Sequence, residues 1–187
     1  MHRPFTQILT THDILLIVLP TALILLIPLI ATHYSTAFDW KPEDFLVAGV
    51  LIGGSLTVYR WLAGRLRNRM LKVAWMLFIF TTLLLIWVNL AVGIVGNEGE
   101  PANLLFYLLP LLGSIFAARV RFRPAEMARI LRLMGIIQVM LGGMFYILSP
   151  QITSHGSPGH ILLLSLFFAT GWFGSAFFFH RGTNRIG

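Results

Sequence analysis

The side chains best suited to specific chemistry lie in one stretch, WVNLAVGIVGNEGEPAN, between two apolar segments. The candidate binding residues there are Trp87, Asn89, Glu98, Glu100 and Asn103, with Tyr107 shortly after them. Carboxamides donate and accept hydrogen bonds, and carboxylates accept hydrogen bonds and attract cations. We predict a shallow polar pocket for a cationic or hydroxyl-bearing group, such as an ethanolamine headgroup or a basic loop of a partner. The alternative is a hairpin turn whose side chains only cap helices and bond to each other.

Composition decides the class of protein that holds this stretch. Of 187 residues, 57% are hydrophobic and 11% are charged, whereas soluble domains carry roughly 25% charged residues. The chain is therefore predicted to be an integral membrane protein. Cysteine is absent, which excludes disulfides, thiolate metal sites and a cysteine nucleophile.

Six apolar segments are long enough to cross a bilayer as helices. We predict one transmembrane domain over residues 1–187, an all-α bundle with helices at 13–33, 42–62, 71–96, 101–118, 124–148 and 159–180. Small residues form one face at Gly49, Gly53 and Gly54 and another at Gly171, Gly174 and Ser175. Such faces let helix backbones approach closely, so both are predicted to pack against other helices.

The distribution of charge predicts the orientation of the helices. The formal net charge is +7, and most arginine and lysine residues fall in alternate connections, at 60–72, 119–132 and 181–185. The other connections are mainly acidic or neutral, with Lys41 as the exception. The positive-inside rule then places both termini in the cytoplasm and the stretch with Glu98 outside. The basic total is thus explained by orientation and by anionic lipid headgroups at the cytoplasmic face, so we predict no nucleic-acid partner.

The sequence gives little support for a catalytic site or a metal site. The interiors of the predicted spans lack Asp, Glu, Lys, Arg and His, the residues that mark proton relays and ion pathways in membranes. Asn89 and Gln138 are predicted to hydrogen-bond to neighbouring helices. Candidate metal or haem ligands are His33, His155 and His160, but no pair has a diagnostic spacing. We therefore predict no catalytic residue, metal or cofactor.

The central stretch, with DFLVAGVL before it and residues 118–124 and Met127 after it, resembles a family of small bacterial inner-membrane proteins. That family carries a WVNLAVGIIG-S-E-PAN type signature, and the resemblance covers roughly residues 39–140. Asn97 and Gly99 stand where serine and an acidic residue are common in the signature. The resemblance implies a location in the bacterial inner membrane and nothing about catalysis.

Two classes of function follow from these predictions. The first is a non-enzymatic membrane component, either an accessory subunit or a small binding protein, that uses the outer end of the third and fourth helices. The second is a transporter or channel formed by a homo-oligomer. A metal- or haem-binding protein using the interfacial histidines is a weaker alternative.

Overall fold

A computed structural model describes residues 11–34, 40–152 and 157–184. The described residues form six α-helices, all long and apolar enough to cross a membrane. They are α1 (Thr11–Tyr34), α2 (Pro42–Ala63), α3 (Arg69–Ala91), α4 (Leu104–Arg119), α5 (Pro124–Ile152) and α6 (Pro158–Thr183), and a short 3₁₀ helix, Pro101–Asn103, precedes α4. The all-helical class with six candidate spans is confirmed. The predicted orientation of the termini stays a prediction.

The chain forms two compact units, Met1–Arg65 and Leu66–Gly187. The prediction of a single transmembrane domain stays a prediction. In the first unit, α1 and α2 pack through Gly49 and Gly53, and a salt bridge joins Arg60 to Asp13. Gly54 of the same predicted small face has no neighbour within 4 Å of an added Cβ. Helix α2 begins at Pro42, where a missing N–H costs nothing.

The second unit packs α6 against both α5 and α3. The closest approaches involve glycines, because Gly142 lies against Ser165 and Gly171 against Thr81. The hydroxyl of Ser175 also donates to the Ala74 carbonyl oxygen, at 2.8 Å. The predicted small face of α6 therefore does pack against another helix, α3.

Aromatic side chains also pack in the core of the second unit, beside the sites where the helices approach each other at glycines. Trp75 makes edge contacts with Phe78, Phe179 and Phe122, with ring centroids 5.6, 5.2 and 5.5 Å apart. Edge-to-face pairs of this kind add about 0.5–1.5 kcal/mol beyond burial of their area. The contact with Phe122 attaches the turn between α4 and α5 to this aromatic cluster.

Five of the six helices begin and end within a few residues of their predicted positions. Helix α3 differs, since it ends at Ala91 while the prediction carried it to residue 96. The start of α3 is set by a local contact, because the Asn68 side chain accepts a hydrogen bond from the Met70 N–H at 2.9 Å. Such N-caps stabilise a helix by about 1 kcal/mol. The early end of α3 has a cause in the loop that follows it.

Candidate functional site

Asn103 organises the loop between α3 and α4. Its Oδ1 accepts hydrogen bonds from the backbone N–H groups of Ile94 (3.0 Å) and Val95 (2.9 Å). Its Nδ2 donates to the carbonyl oxygens of Val95 (3.1 Å) and Asn97 (2.6 Å). A carboxamide has two N–H donors and an oxygen with two lone pairs, so all four positions are used inside the loop. Asn103 is only 1% exposed and has nothing left to offer a ligand.

This bonding explains why α3 ends at Ala91. The N–H groups of Val92 and Gly93 both donate to the Val88 carbonyl oxygen, and the next two N–H groups are taken by Asn103. Gly93 has a φ of 71°, and a Cβ added there would lie 2.7 Å from Asn103 Nδ2. The loop therefore needs glycine at this position, both for its backbone conformation and for space.

The two acidic residues of the loop differ from Asn103 in their environment. Glu98 is exposed and Glu100 is half-buried, and neither carboxylate forms a salt bridge within the described part of the chain. Between them, the Gly99 N–H donates to Asn97 Oδ1 at 2.9 Å, which tightens the tip of the turn. The loop thus carries two carboxylates at its surface, and the hydrogen bonds of the Asn103 side chain hold its backbone in place.

The remaining candidates lie in the adjoining helices. Asn89 is completely buried, its Nδ2 donates to the Leu85 carbonyl oxygen at 3.1 Å, and its Oδ1 has no protein partner. Trp87 and Tyr107 are half-buried. The six candidates therefore divide into the buried residues Asn89 and Asn103, the two half-buried rings and the surface carboxylates.

A pocket does exist at this end of the second unit, but on the side of α6. It has a volume of about 150 Å³ and lies between the loop and the first turns of α6. Its lining residues are Val92, Gly93, Ile94, Gly96, Ser157, His160, Ile161 and Leu164. None of the six candidates is among them. The sequence does indicate the local structure on each side of the pocket, a turn at Gly93–Gly96 and a helix start at Ser157-Pro158. It does not indicate that these two segments lie next to each other.

No protein family model, curated protein or solved structure matches this chain.

Two of the histidines proposed as metal ligands border different pockets, one in each unit. His33 is exposed at the end of α1 and borders an open groove of about 530 Å³ in the first unit, with Trp40 and Phe45. His160 is exposed at the mouth of the smaller pocket. His155 lies outside the described residues. Among residues that are described, no three or more His, Cys, Asp or Glu side chains are grouped to hold a metal ion.

The two buried carboxamides predicted to join helices do not do so. Asn89 bonds within its own helix, and both side-chain polar atoms of Gln138 lack a protein partner although the residue is fully buried. The bond between α6 and α3 comes instead from Ser175, a residue predicted only to allow close packing. A short hydroxyl reaches the facing backbone here because the helices approach closely on this face, where Gly171 lies against Thr81.

Proposed function

We propose that the protein is a non-enzymatic, multi-pass protein of the bacterial inner membrane, an accessory subunit or small binding protein. It recognises a basic segment of a protein partner through the loop at the outer end of α3 and α4. The observation that carries this proposal is the pair of surface carboxylates, Glu98 and Glu100, on a backbone held by a fully bonded Asn103. A fixed loop loses little conformational entropy on binding, which raises affinity.

The charge distribution of the second unit favours a basic partner. Its arginines and lysine lie at the opposite helix ends, at the start of α3, between α4 and α5, in the first turns of α5, and at the end of α6. Glu98 and Glu100 are therefore the acidic residues of the loop end, and among the described residues neither forms a salt bridge. Near a low-dielectric membrane, an uncompensated acidic pair attracts a cation more strongly than it does in bulk water.

The alternative of an oligomeric transporter or channel is less well supported. A pore on an oligomer axis needs polar side chains on outward helix faces. The outward faces of α5 and α6 are apolar, with large exposed residues such as Leu133, Met140, Leu163 and Phe167. Gln138 and Ser165 are fully buried, and the exposed Thr170 hydroxyl donates to the Phe167 carbonyl oxygen of its own helix. Such surfaces suit lipid and an apolar partner helix.

Photo-crosslinking tests the proposed docking loop. A photoreactive residue at Glu98 should trap a protein partner in native membranes, whereas the same residue at Ile115, on the exposed face of α4, should not trap that protein. Changing Glu98→Lys and Glu100→Lys together should reduce co-purification of the partner about tenfold or more, as expected when a charge pair becomes a repulsion. The control is Glu43→Lys, which reverses another exposed acidic residue. Equal recovery from both variants would contradict the proposal.

The proposed orientation has its own test in a chain without cysteine. Single cysteines at Gly99 and Arg67, both exposed, are treated with a membrane-impermeant maleimide in intact cells. Position 99 should react at once, and position 67 only after the inner membrane is permeabilised. Equal labelling in detergent is the control for reactivity. Reaction at 67 but not at 99 in intact cells would show the opposite orientation.

A further inference from the structure

We propose that the basic end of the second unit binds a phospholipid that carries two phosphodiester groups. Four cationic side chains form the site, and they come from the start of α3, the α4–α5 turn and the end of α6; they are Lys72, Arg121, Arg123 and Arg181. The site lies at the opposite helix ends from the docking loop, so it does not depend on a protein partner there. Packing joins the three segments, their cations lack acidic partners within the described residues, and apolar side chains lie beside them.

The α4–α5 turn is fixed against the start of α3 through Phe122. Its ring meets the buried Trp75 edge-on, with the ring centroids 5.5 Å apart. Arg121 and Phe122 both have positive φ angles, 52° and 57°, a conformation that persists in residues other than glycine only where the surrounding structure holds it. Arg121 and Arg123 flank Phe122 in the sequence, and both are exposed. The contact with Trp75 therefore keeps two arginines beside α3.

The end of α6 is fixed against the same part of α3. The Asn68 side chain donates to the Gly182 carbonyl oxygen at 2.9 Å, and a Cβ added at Gly182 would lie 2.5 Å from Leu71. Lys72 follows Leu71, and Arg181 precedes Gly182. The contacts that α3 makes with the turn and with α6 both fall within about its first two turns. The four cations thus belong to one patch.

The cations of this patch lack acidic partners within the described part of the chain. Glu126 is the acidic residue of the second unit at this end, and its carboxylate pairs with Arg129 at 3.0 Å. The Arg181 guanidinium lies over the Phe177 ring, 4.5 Å from its centroid, and a stacked guanidinium still presents its N–H groups at the edge. Like charges in one patch repel each other, so an anion between them is bound favourably.

The surroundings of the patch favour a lipid over a soluble anion. Large apolar side chains lie within about two turns of the same helix ends, and Met76, Phe116 and Phe177 are 46%, 54% and 49% exposed. They provide a surface for acyl chains, while basic sites between helix ends receive lipid phosphates. A second phosphodiester on the same molecule binds at a high effective concentration once the first is bound. Cations on three segments therefore favour a lipid with two phosphates over a lipid with one.

Native mass spectrometry of the full chain in detergent measures this preference. The delipidated protein is given diphosphatidylglycerol and phosphatidylglycerol at equal phosphate concentration, so that the headgroup chemistry and the total charge match. We expect diphosphatidylglycerol to be retained at least about tenfold more, because a linked second contact raises binding by about 10²–10⁴ where both contacts form. Pyrophosphate at the same phosphate concentration should not displace it, since pyrophosphate has no acyl chains.

Two pairs of arginine substitutions separate a defined site from general attraction to positive charge. Arg121→Asn with Arg123→Gln removes two cations of the patch, and asparagine tolerates the positive φ at position 121. This variant should lose the preference for diphosphatidylglycerol. The matched control is Arg129→Gln with Arg132→Gln, which changes the net charge equally at the same end. Both control arginines already have partners within α5, so the control should keep the preference.

A second variant of the patch keeps the test decisive if the changes in the turn disturb folding. Lys72→Gln with Arg181→Gln removes cations from α3 and α6 and leaves the α4–α5 turn unchanged. The preference should fall at least several-fold, while the melting temperature without lipid should not fall. Equal retention of the two lipids by the native protein would overturn the proposal. So would equal losses in the patch and control variants, an unchanged preference in Lys72→Gln with Arg181→Gln, or displacement of the lipid by pyrophosphate.

Discussion

Replacing Asn103 with leucine is expected to lower the free energy of unfolding by about 4 kcal/mol, the largest effect of any single polar change in the second unit. The variant loses all four hydrogen bonds between the carboxamide and the loop backbone. Each bond contributes about 1 kcal/mol net, and a buried backbone group left without a partner costs about 1–3 kcal/mol. Since Asn103 is buried, water does not easily replace it.

Thermal unfolding in detergent provides the measurement, with Asn97→Ala as the matched control. Asn97 lies in the same loop and also accepts a backbone hydrogen bond, from Gly99, but that bond is exposed. The control should therefore change the free energy of unfolding by less than about 1 kcal/mol. Limited proteolysis should cut the loop of Asn103→Leu much faster than that of the control. Equal stability of the two variants would show that the carboxamide does not hold the loop.

The outcome also bears on the proposed docking loop. If Asn103 fixes the loop, its replacement frees Glu98. Partner recovery should then fall together with stability in Asn103→Leu, whereas in the charge variants partner recovery should fall and stability should not.

The helical class and most helix positions could be predicted from the sequence because hydropathy acts locally. An apolar run long enough for the bilayer must satisfy its backbone within itself, so it forms a helix. Prolines at positions 42, 124 and 158 begin α2, α5 and α6, within one residue of the prediction, and Pro101 begins the short 3₁₀ helix before α4. These signals lie in the segments themselves and need no knowledge of the neighbours.

The candidate site could be predicted only in part. The stretch from Trp87 to Asn103 does hold the fixed loop, but the role of Asn103 depends on contacts with backbone six to nine residues away. Residue type shows that a carboxamide can bond, and not which groups it meets. The pocket was missed for the same reason, since Gly93 and His160 are 67 positions apart in the chain.

Glycine shows the same limit within the helices. The spacing of Gly49, Gly53 and Gly54 resembles that of a packing face, yet Gly54 has open space beside it. Gly142 and Gly143 are adjacent in α5, and the sequence does not say which of them faces a helix. In the structure an added Cβ at Gly142 would meet Ser165, with Oγ at 2.6 Å, and one at Gly143 would meet nothing within 4 Å.

Alanine substitutions at these two glycines form the second prediction with a large effect. They are expected to change the free energy of unfolding in opposite directions. Gly142→Ala should lower the free energy of unfolding by about 1–3 kcal/mol, since the added methyl group forces α5 and α6 apart. Gly143→Ala should raise it by up to about 1 kcal/mol, because alanine favours the helix more than glycine does. Melting temperatures in detergent should therefore move in opposite directions.

A double variant identifies the cause of the loss at Gly142. The nearest obstacle is the Ser165 side chain, so Ser165→Gly removes what the new methyl group would strike. Gly142→Ala combined with Ser165→Gly should then cost less than the two single changes added together, a coupling expected only for residues in contact. Strict additivity, or equal melting temperatures for the alanine variants at 142 and 143, would show that α5 and α6 do not approach at Gly142.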